Sequence, residues 1–174
     1  MATIVIPFRA QDGKQRLPEE LRTELAQAML ADVLAAADEV GRTIVADGRG
    51  QGAAVEAALS EAEESPVLVV NADLPAATPR DLLALLGSIP PDGIAVVAAA
   101  DGTTNALGLA AAGVFRAVYG PGSADRFLAL APSRLAEIPN LRDDVDTMDD
   151  LERLDARLGP NTRAAVDALR SAAR

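Results

Sequence analysis

The sequence has no histidine, no cysteine and no tryptophan, and its aromatic residues are one Tyr and three Phe. Each absence removes a class of function. Without histidine there is no Ser-His-Asp triad, no histidine general base and no common His-liganded zinc site. Without cysteine there is neither a disulfide framework nor a thiol nucleophile, which fits a reducing cytosol. So few aromatic rings leave no platform on which nucleic-acid bases could stack. No apolar run approaches the roughly 20 residues that span a bilayer, and the opening "MATIVIPFRA" is too short for a signal peptide. A soluble, cytoplasmic protein is expected.

What is present is an acidic excess and a large aliphatic fraction. Twenty-six acids against 16 bases give a net charge of -10. Such a chain repels a phosphate backbone, so neither nucleic acid nor a membrane surface is an expected partner. An anionic ligand would have to be met by a few local cations and a metal ion. The 174 residues, 49% of them hydrophobic, suit one domain over residues 1–174 with a core of Ala, Leu and Val, since domains usually run to roughly 100–200 residues. Any catalysis must run on carboxylates, Lys, Arg, hydroxyls, backbone dipoles and a hard cation.

The patterning alternates strand and helix. "TIVIPF" (Thr3 to Phe8), "RTIVA" (Arg42 to Ala46), "PVLVV" (Pro66 to Val70) and "GIAVVAAA" (Gly93 to Ala100) are short, β-branched and apolar on both faces, as helix-covered parallel strands are. Leu21, Leu25, Met29 and Val33 recur at helical spacing between the first two strands. "GAAVEAALSEAEE" supplies a second helix, and "TPRDLLALLG" a third, with Thr78 as N-cap, Pro79 at the first helical position and Gly87 closing it. Further on, "DGTTNALGLAAAG" reads as a turn into a weak strand, "YGPGSADRFLALA" as a turn into a helix, and "RLAEIP" as a short strand. "DDVDTMDDLERLDARLG" and "PNTRAAVDALRSAAR" give the last two helices. The expected fold is α/β: a single-domain, mostly parallel, doubly wound sheet.

In such a sheet ligands sit beyond the carboxyl ends of the strands. Asp73 lies there, three residues past Val70, and admits two readings. It belongs to a turn beside Pro75, or it is a carboxylate that needs a cation such as magnesium as partner. "RDDVDTMDDLE" is similarly divided. Thr147, Asp149 and Asp150 make an N-cap with acids at a helix start, whereas Asp144 and Asp146 alternate around Val145 as though presenting carboxylates from one face of a short strand. Arg9, Lys14 and Arg16 cluster around Gly13 after the first strand; they are solvated, or they meet a polyphosphate. No G-x-x-x-x-G-K-[ST] motif is present, so this is not a P-loop. Ser123 in "YGPGSADRF" is either an N-cap or part of an anion site, and Thr103, Thr104 and Asn105 place short polar groups at a strand mouth as a turn or as ligand contacts.

Taken in order, "IPFRAQDGKQRL", "LAQAMLADVL", "NADLPAATPRDL", "GTTNAL", "YGPGSADRF", "DDVDTMDDL" and "LGPNTRAAV" resemble the 2-phospho-L-lactate and phosphoenolpyruvate guanylyltransferases of coenzyme F-420 biosynthesis. Each segment is short, but the ordered set is specific and runs along nearly the whole chain. The resemblance implies a nucleotidyltransferase (glycosyltransferase-A-like) fold, with Mg2+ on Asp73 and Asp146 and Asp144 as a substitute for the latter. It implies that Arg9, Gly13, Lys14 and Arg16 hold the GTP phosphates, with Lys14, Arg16 and Asp73 catalytic, and that Thr104, Gly120 and Ser123 hold a phosphorylated three-carbon acid. Two positions depart from the family pattern: Arg9 stands where members often carry Lys, and Gly52 where an Asn is expected, leaving Gln51 as the candidate contact to guanine or ribose. A downstream transferase would consume the guanylylated product.

The composition agrees with that chemistry. In nucleotidyl transfer the attacking phosphate oxygen is already an anion near neutral pH, so no histidine base is required. Two other readings stay open: a related transferase with another nucleotide or acceptor, such as a molybdopterin guanylyl- or cytidylyltransferase, and a non-catalytic nucleotide-binding protein of the same fold.

Overall fold

Strands form where β-branched residues run without polar interruption, and helices cover both sides of them. The structure, a computed structural model, describes residues 1–8, 17, 19–48, 50–62, 65–130 and 132–172. In chain order the elements are β1 (Ala2–Pro7), α1 (Glu19–Asp38), β2 (Gly41–Ala46), α2 (Gln51–Ser60), β3 (Val67–Val70), α3 (Pro79–Gly87), β4 (Ile94–Ala98), β5 (Thr104–Leu109), α4 (Ser123–Leu128), β6 (Ser133–Leu135), α5 (Pro139–Arg142), α6 (Met148–Arg153) and α7 (Pro160–Ala172). Single 3-10 turns lie at Ala112–Val114 and Asp155–Arg157.

One six-stranded sheet runs in the order β2-β1-β3-β5-β4-β6. All its strands are parallel to one another except β5, which pairs antiparallel with both β3 and β4. This corrects the weak strand expected there: β5 is buried along its whole length and central. Asn105 and Gly108 dilute its β character, but only the five residues 99–103 separate it from β4. A parallel return needs a dozen or more residues, so the connection folds back as a hairpin.

Alternate side chains of each strand enter different cores. Ile4, Ile6, Leu68 and Val70 pack under Val33 and Ala36 of α1 and Leu82 and Leu85 of α3. Val5, Val67, Val69 and Leu107 meet Val55 and Leu59 of α2 together with Phe115 and Phe127. A third cluster joins Leu25 and Met29 of α1 to Leu151, Leu154 and Val166 of the tail. The tail is fastened by a buried acid: Asp32 accepts from the backbone N–H groups of Asn161 and Thr162, both at 2.9 Å, and so caps α7 from a distance. Gly159 lies against that carboxylate, where a Cβ would overlap it.

Local chemistry sets the helix ends, with some departures from expectation. Thr78 and Thr147 each form a full capping box, with Asp81 and Asp150 respectively. Gly87 lies inside the last turn of α3 and Ser88 is the C-cap. Gly122, in the left-handed conformation at φ 69°, rather than Ser123, is the N-cap of α4. The penultimate helix is interrupted after Arg153 and resumes as a 3-10 turn. Among the described residues no helix is long and apolar enough to cross a membrane.

Candidate active site

The fully buried run of β3 ends at Val70, and the chain then turns through Asn71, Ala72 and Asp73 at the carboxyl edge of the parallel strands. Two backbone hydrogen bonds clamp this turn. The Asp73 carbonyl accepts from Val145 N at 3.1 Å, and the Pro75 carbonyl from Gly159 N at 2.7 Å. Val145 is itself fully buried. Its apolar side chain faces the core, and the flanking Asp144 and Asp146 turn towards Asp73, as alternation along an extended segment requires. The segment presents its acids as expected, although it is not itself a strand of the sheet.

Asp73, Asp144 and Asp146 each place a carboxylate oxygen within 4.8 Å of the others. Two ionised carboxylates 4.8 Å apart repel by about 3.5 kcal/mol at an effective dielectric near 20, a repulsion that a nearby cation offsets. Three hard oxygen donors, all half-buried, suit magnesium, manganese or calcium far better than a nitrogen- or sulfur-seeking metal. The alternatives of Asp144 or Asp146 thus become one group of three. Around them the supports are explicit. Asp146 N donates to Asp150 Oδ2 at 3.0 Å, inside the Thr147 capping box. Asn105 Nδ2 donates to Asp144 Oδ1 at 3.2 Å and to the Arg142 carbonyl at 2.9 Å.

The neighbouring acids are arranged differently. Burial works against the ionised form of Asp143, but hydrogen bonds and charge from Arg157 and Arg153 hold its carboxyl below the ordinary value. Burial likewise opposes ionisation of Asp150, and the Asp146 N–H, the Thr147 hydroxyl and Arg153 outweigh it.

Beside the carboxylates lies a polar row. Gln51, at the start of α2, donates through Nε2 to Asn71 Oδ1 at 2.7 Å, and Asn71 Nδ2 reaches the Thr104 carbonyl at 3.2 Å. Thr104 and Ser123, both buried, share a hydrogen bond between their hydroxyls at 2.9 Å. Gly120, at φ 113°, belongs to the loop leading into α4. Arg126 shapes that loop by donating to the carbonyls of Val118, Pro121 and Tyr119 at 3.1, 2.6 and 3.1 Å. Thr103 completes a turn with Asp101 instead of facing the row. A Cβ at Gly52 would come within 2.8 Å of the Ala117 side chain, so the Asn of the family pattern has no room there.

The structure therefore brings together Asp73, Asp144 and Asp146, with Gln51, Thr104 and Ser123 in a linked polar row beside them. Arg9, Gly13, Lys14 and Arg16 lie outside the described residues. Sequence reasoning passed over Asn71 and Arg126. A polar residue directly after a fully apolar strand was the available signal for the first. None marked the second, whose partners are all main-chain carbonyls.

A mixed α/β sheet with clustered carboxylates beyond its strand ends fits a nucleotidyltransferase, and the family match gives that class. Residues 20–144 match the model of the MobA-like NTP transferase domain. Among curated proteins, the chain is 34% identical to a phosphoenolpyruvate guanylyltransferase of Nocardia farcinica over 91% of its own length and 87% of the relative's. It is 36% identical to a 2-phospho-L-lactate guanylyltransferase of Natrialba magadii, where the match spans 60% of each chain. Among solved structures, a candidate nucleotide-diphospho-sugar transferase of Desulfovibrio desulfuricans G20 superimposes with a TM-score of 0.71 at 15% identity, covering 98% of this chain and 95% of that one. The chain belongs to the MobA-like NTP transferase family and is a relative of the phosphoenolpyruvate guanylyltransferases.

Proposed function

We propose that this protein is a guanylyltransferase that moves GMP from GTP to the phosphate of phosphoenolpyruvate, with 2-phospho-L-lactate as the alternative acceptor, and releases pyrophosphate in coenzyme F-420 biosynthesis. The observation that carries this reading is the convergence of Asp73, Asp144 and Asp146 within 4.8 Å. An acceptor phosphate oxygen bonds to the α-phosphorus of GTP while the bond from that phosphorus to the α,β-bridging oxygen breaks, and pyrophosphate leaves in line. No proton has to be removed from the nucleophile, so a chain without histidine suffices.

Asp73, Asp144 and Asp146 would hold Mg2+, which when bound neutralises the gathering phosphate charge. Lys14 and Arg16 would carry the charge of the departing phosphates, with Arg9 and Gly13 completing the loop. The Thr104–Ser123 pair suits an anion, because one hydroxyl proton is used between the two oxygens and the other is left to donate. By holding three carbonyl oxygens, Arg126 keeps them from the phosphorylated acid near Gly120. The Gln51 amide is oriented by Asn71 for the nucleoside. The reading includes a cytoplasmic location and a downstream transferase that consumes the product.

Pyrophosphate release by the purified protein tests this, with GTP, Mg2+ and each phospho-acid in turn. Release that requires one acid and is lost in Asp73→Asn is the expected result. Release that persists in Asp73→Asn would remove the carboxylate group from the reaction, and no release with any acid would move the protein to the non-catalytic reading.

A further inference from the structure

Asn105 stands near the start of a buried strand, in "TNALGL", and is only 3% exposed. A primary amide in that position costs free energy unless its donors are used. Two hydrogen bonds use both: Nδ2 gives one hydrogen to the Arg142 carbonyl at 2.9 Å and one to Asp144 Oδ1 at 3.2 Å. The same residue's main-chain carbonyl accepts from Asn71 N at 3.0 Å, two positions before Asp73. One residue thus touches both acidic segments, which lie far apart in sequence.

We propose that Asn105 is a positioning residue for the cation site: its amide fixes the Asp144 carboxylate against the strand end that carries Asp73. This rests on reading the three carboxylates as a cation site. The residue type follows from the partners. Both are acceptors, so the position needs two donors on a short side chain. Aspartate would set a carboxylate against a carboxylate, and serine or threonine has one proton for two acceptors. A role confined to the fold would need the bond to the Arg142 carbonyl alone; the bond to Asp144 is the part that a ligand site requires. Groups that orient metal ligands from behind typically change affinity by about 10- to 100-fold when removed.

The test is Mn2+ binding by the full chain without nucleotide or acceptor, read from the paramagnetic resonance of free Mn2+. The proteins compared are the wild type, Asn105→Ala, Asn105→Ser, Asp144→Asn and the double variant Asn105→Ala with Asp144→Asn. The wild type is expected to bind, and either Asn105 variant to bind at least about 10-fold more weakly with an unchanged circular dichroism spectrum. In the Asp144→Asn background Asn105→Ala should change the dissociation constant by less than about twofold, because the amide acts through that carboxylate. A folded Asn105 variant that binds like the wild type would overturn the proposal, as would an equal loss with and without Asp144. Failure of both Asn105 variants to fold would assign the residue to the core and also overturn it. A wild type that binds no Mn2+ would overturn the cation site itself, a result distinct from those that remove Asn105 alone.

Discussion

Asp143 receives guanidinium groups from Arg153 at 3.2 Å and Arg157 at 2.6 Å, whereas the next residue, Asp144, shares a space under 4.8 Å across with Asp73 and Asp146. The first carboxylate belongs to a chain of polar contacts that joins two helix caps. From Asp81 of α3 it runs through Asn140 and Arg157 to Asp143, and from there through Arg153 to Asp150 of α6. Each link pairs donor with acceptor or cation with anion, as a structural network should. The second carboxylate lies beside two other carboxylates drawn from distant segments, an arrangement that suits a cation. Both caps follow closely on an acidic segment, Thr78 after Asp73 and Thr147 after Asp146. The paired network therefore braces the crowded one.

The sharpest way to break this contrast is to neutralise each acid in turn. Asp144→Asn should reduce guanylyl transfer by about 100-fold or more, since a metal ligand supports several kcal/mol of transition-state charge stabilisation and each 1.36 kcal/mol is tenfold in rate. It should also weaken stabilisation by Mn2+ at a given metal concentration without abolishing it. In the wild type, free metal at 100 times its dissociation constant adds about 2.7 kcal/mol to stability. Asp143→Asn should keep both properties. Steady-state pyrophosphate release and thermal melts with and without Mn2+ measure them, and equal losses in the two variants would erase the distinction.

How far this was legible in the sequence differs between fold and site. β1 to β4 and α1 to α3 were readable because local pattern and burial agree: "VLVV" is apolar on both faces and is covered on both. The centrality of β5 was not, because that property belongs to the strands on either side of it. At the site, Asp73 and the 144–146 pair stood out by position after a buried strand and around a buried Val145. Alternation around Val145 set Asp144 apart from Asp143, but the partners of the two acids were beyond reach, since Arg153, Arg157 and Asn105 come from other elements. Thr104 and Ser123 were legible as polar groups at a strand mouth and a helix start, and the family resemblance gave them a ligand, but their mutual hydrogen bond is a fact of packing.

A smaller effect is expected on stability, with the opposite ranking. Asp143→Asn removes two partly exposed ion pairs, and such pairs contribute roughly 0.2–1 kcal/mol each. The loss should be about 1 kcal/mol in urea unfolding at neutral pH without metal. A loss near zero would make the arginine network ornamental and leave the Thr147–Asp150 capping box as the support of the acidic segment.

The smallest effect is the pH dependence of that difference, and its sign is fixed by the direction of the shift. Although burial raises it, the carboxyl of Asp143 is held on balance below its ordinary value by Arg157 and Arg153, so the folded protein binds a proton there less readily than the unfolded chain does. Its contribution is therefore fully present above the unfolded value of about 3.9 and is lost as pH falls through the lower folded value. The stability gap between wild type and Asp143→Asn should be constant from pH 7 to about 5, shrink below about 4 and vanish in stronger acid. A gap that widened on acidification would mean that the folded carboxyl takes up its proton before the unfolded one, the reverse of what two guanidinium partners impose.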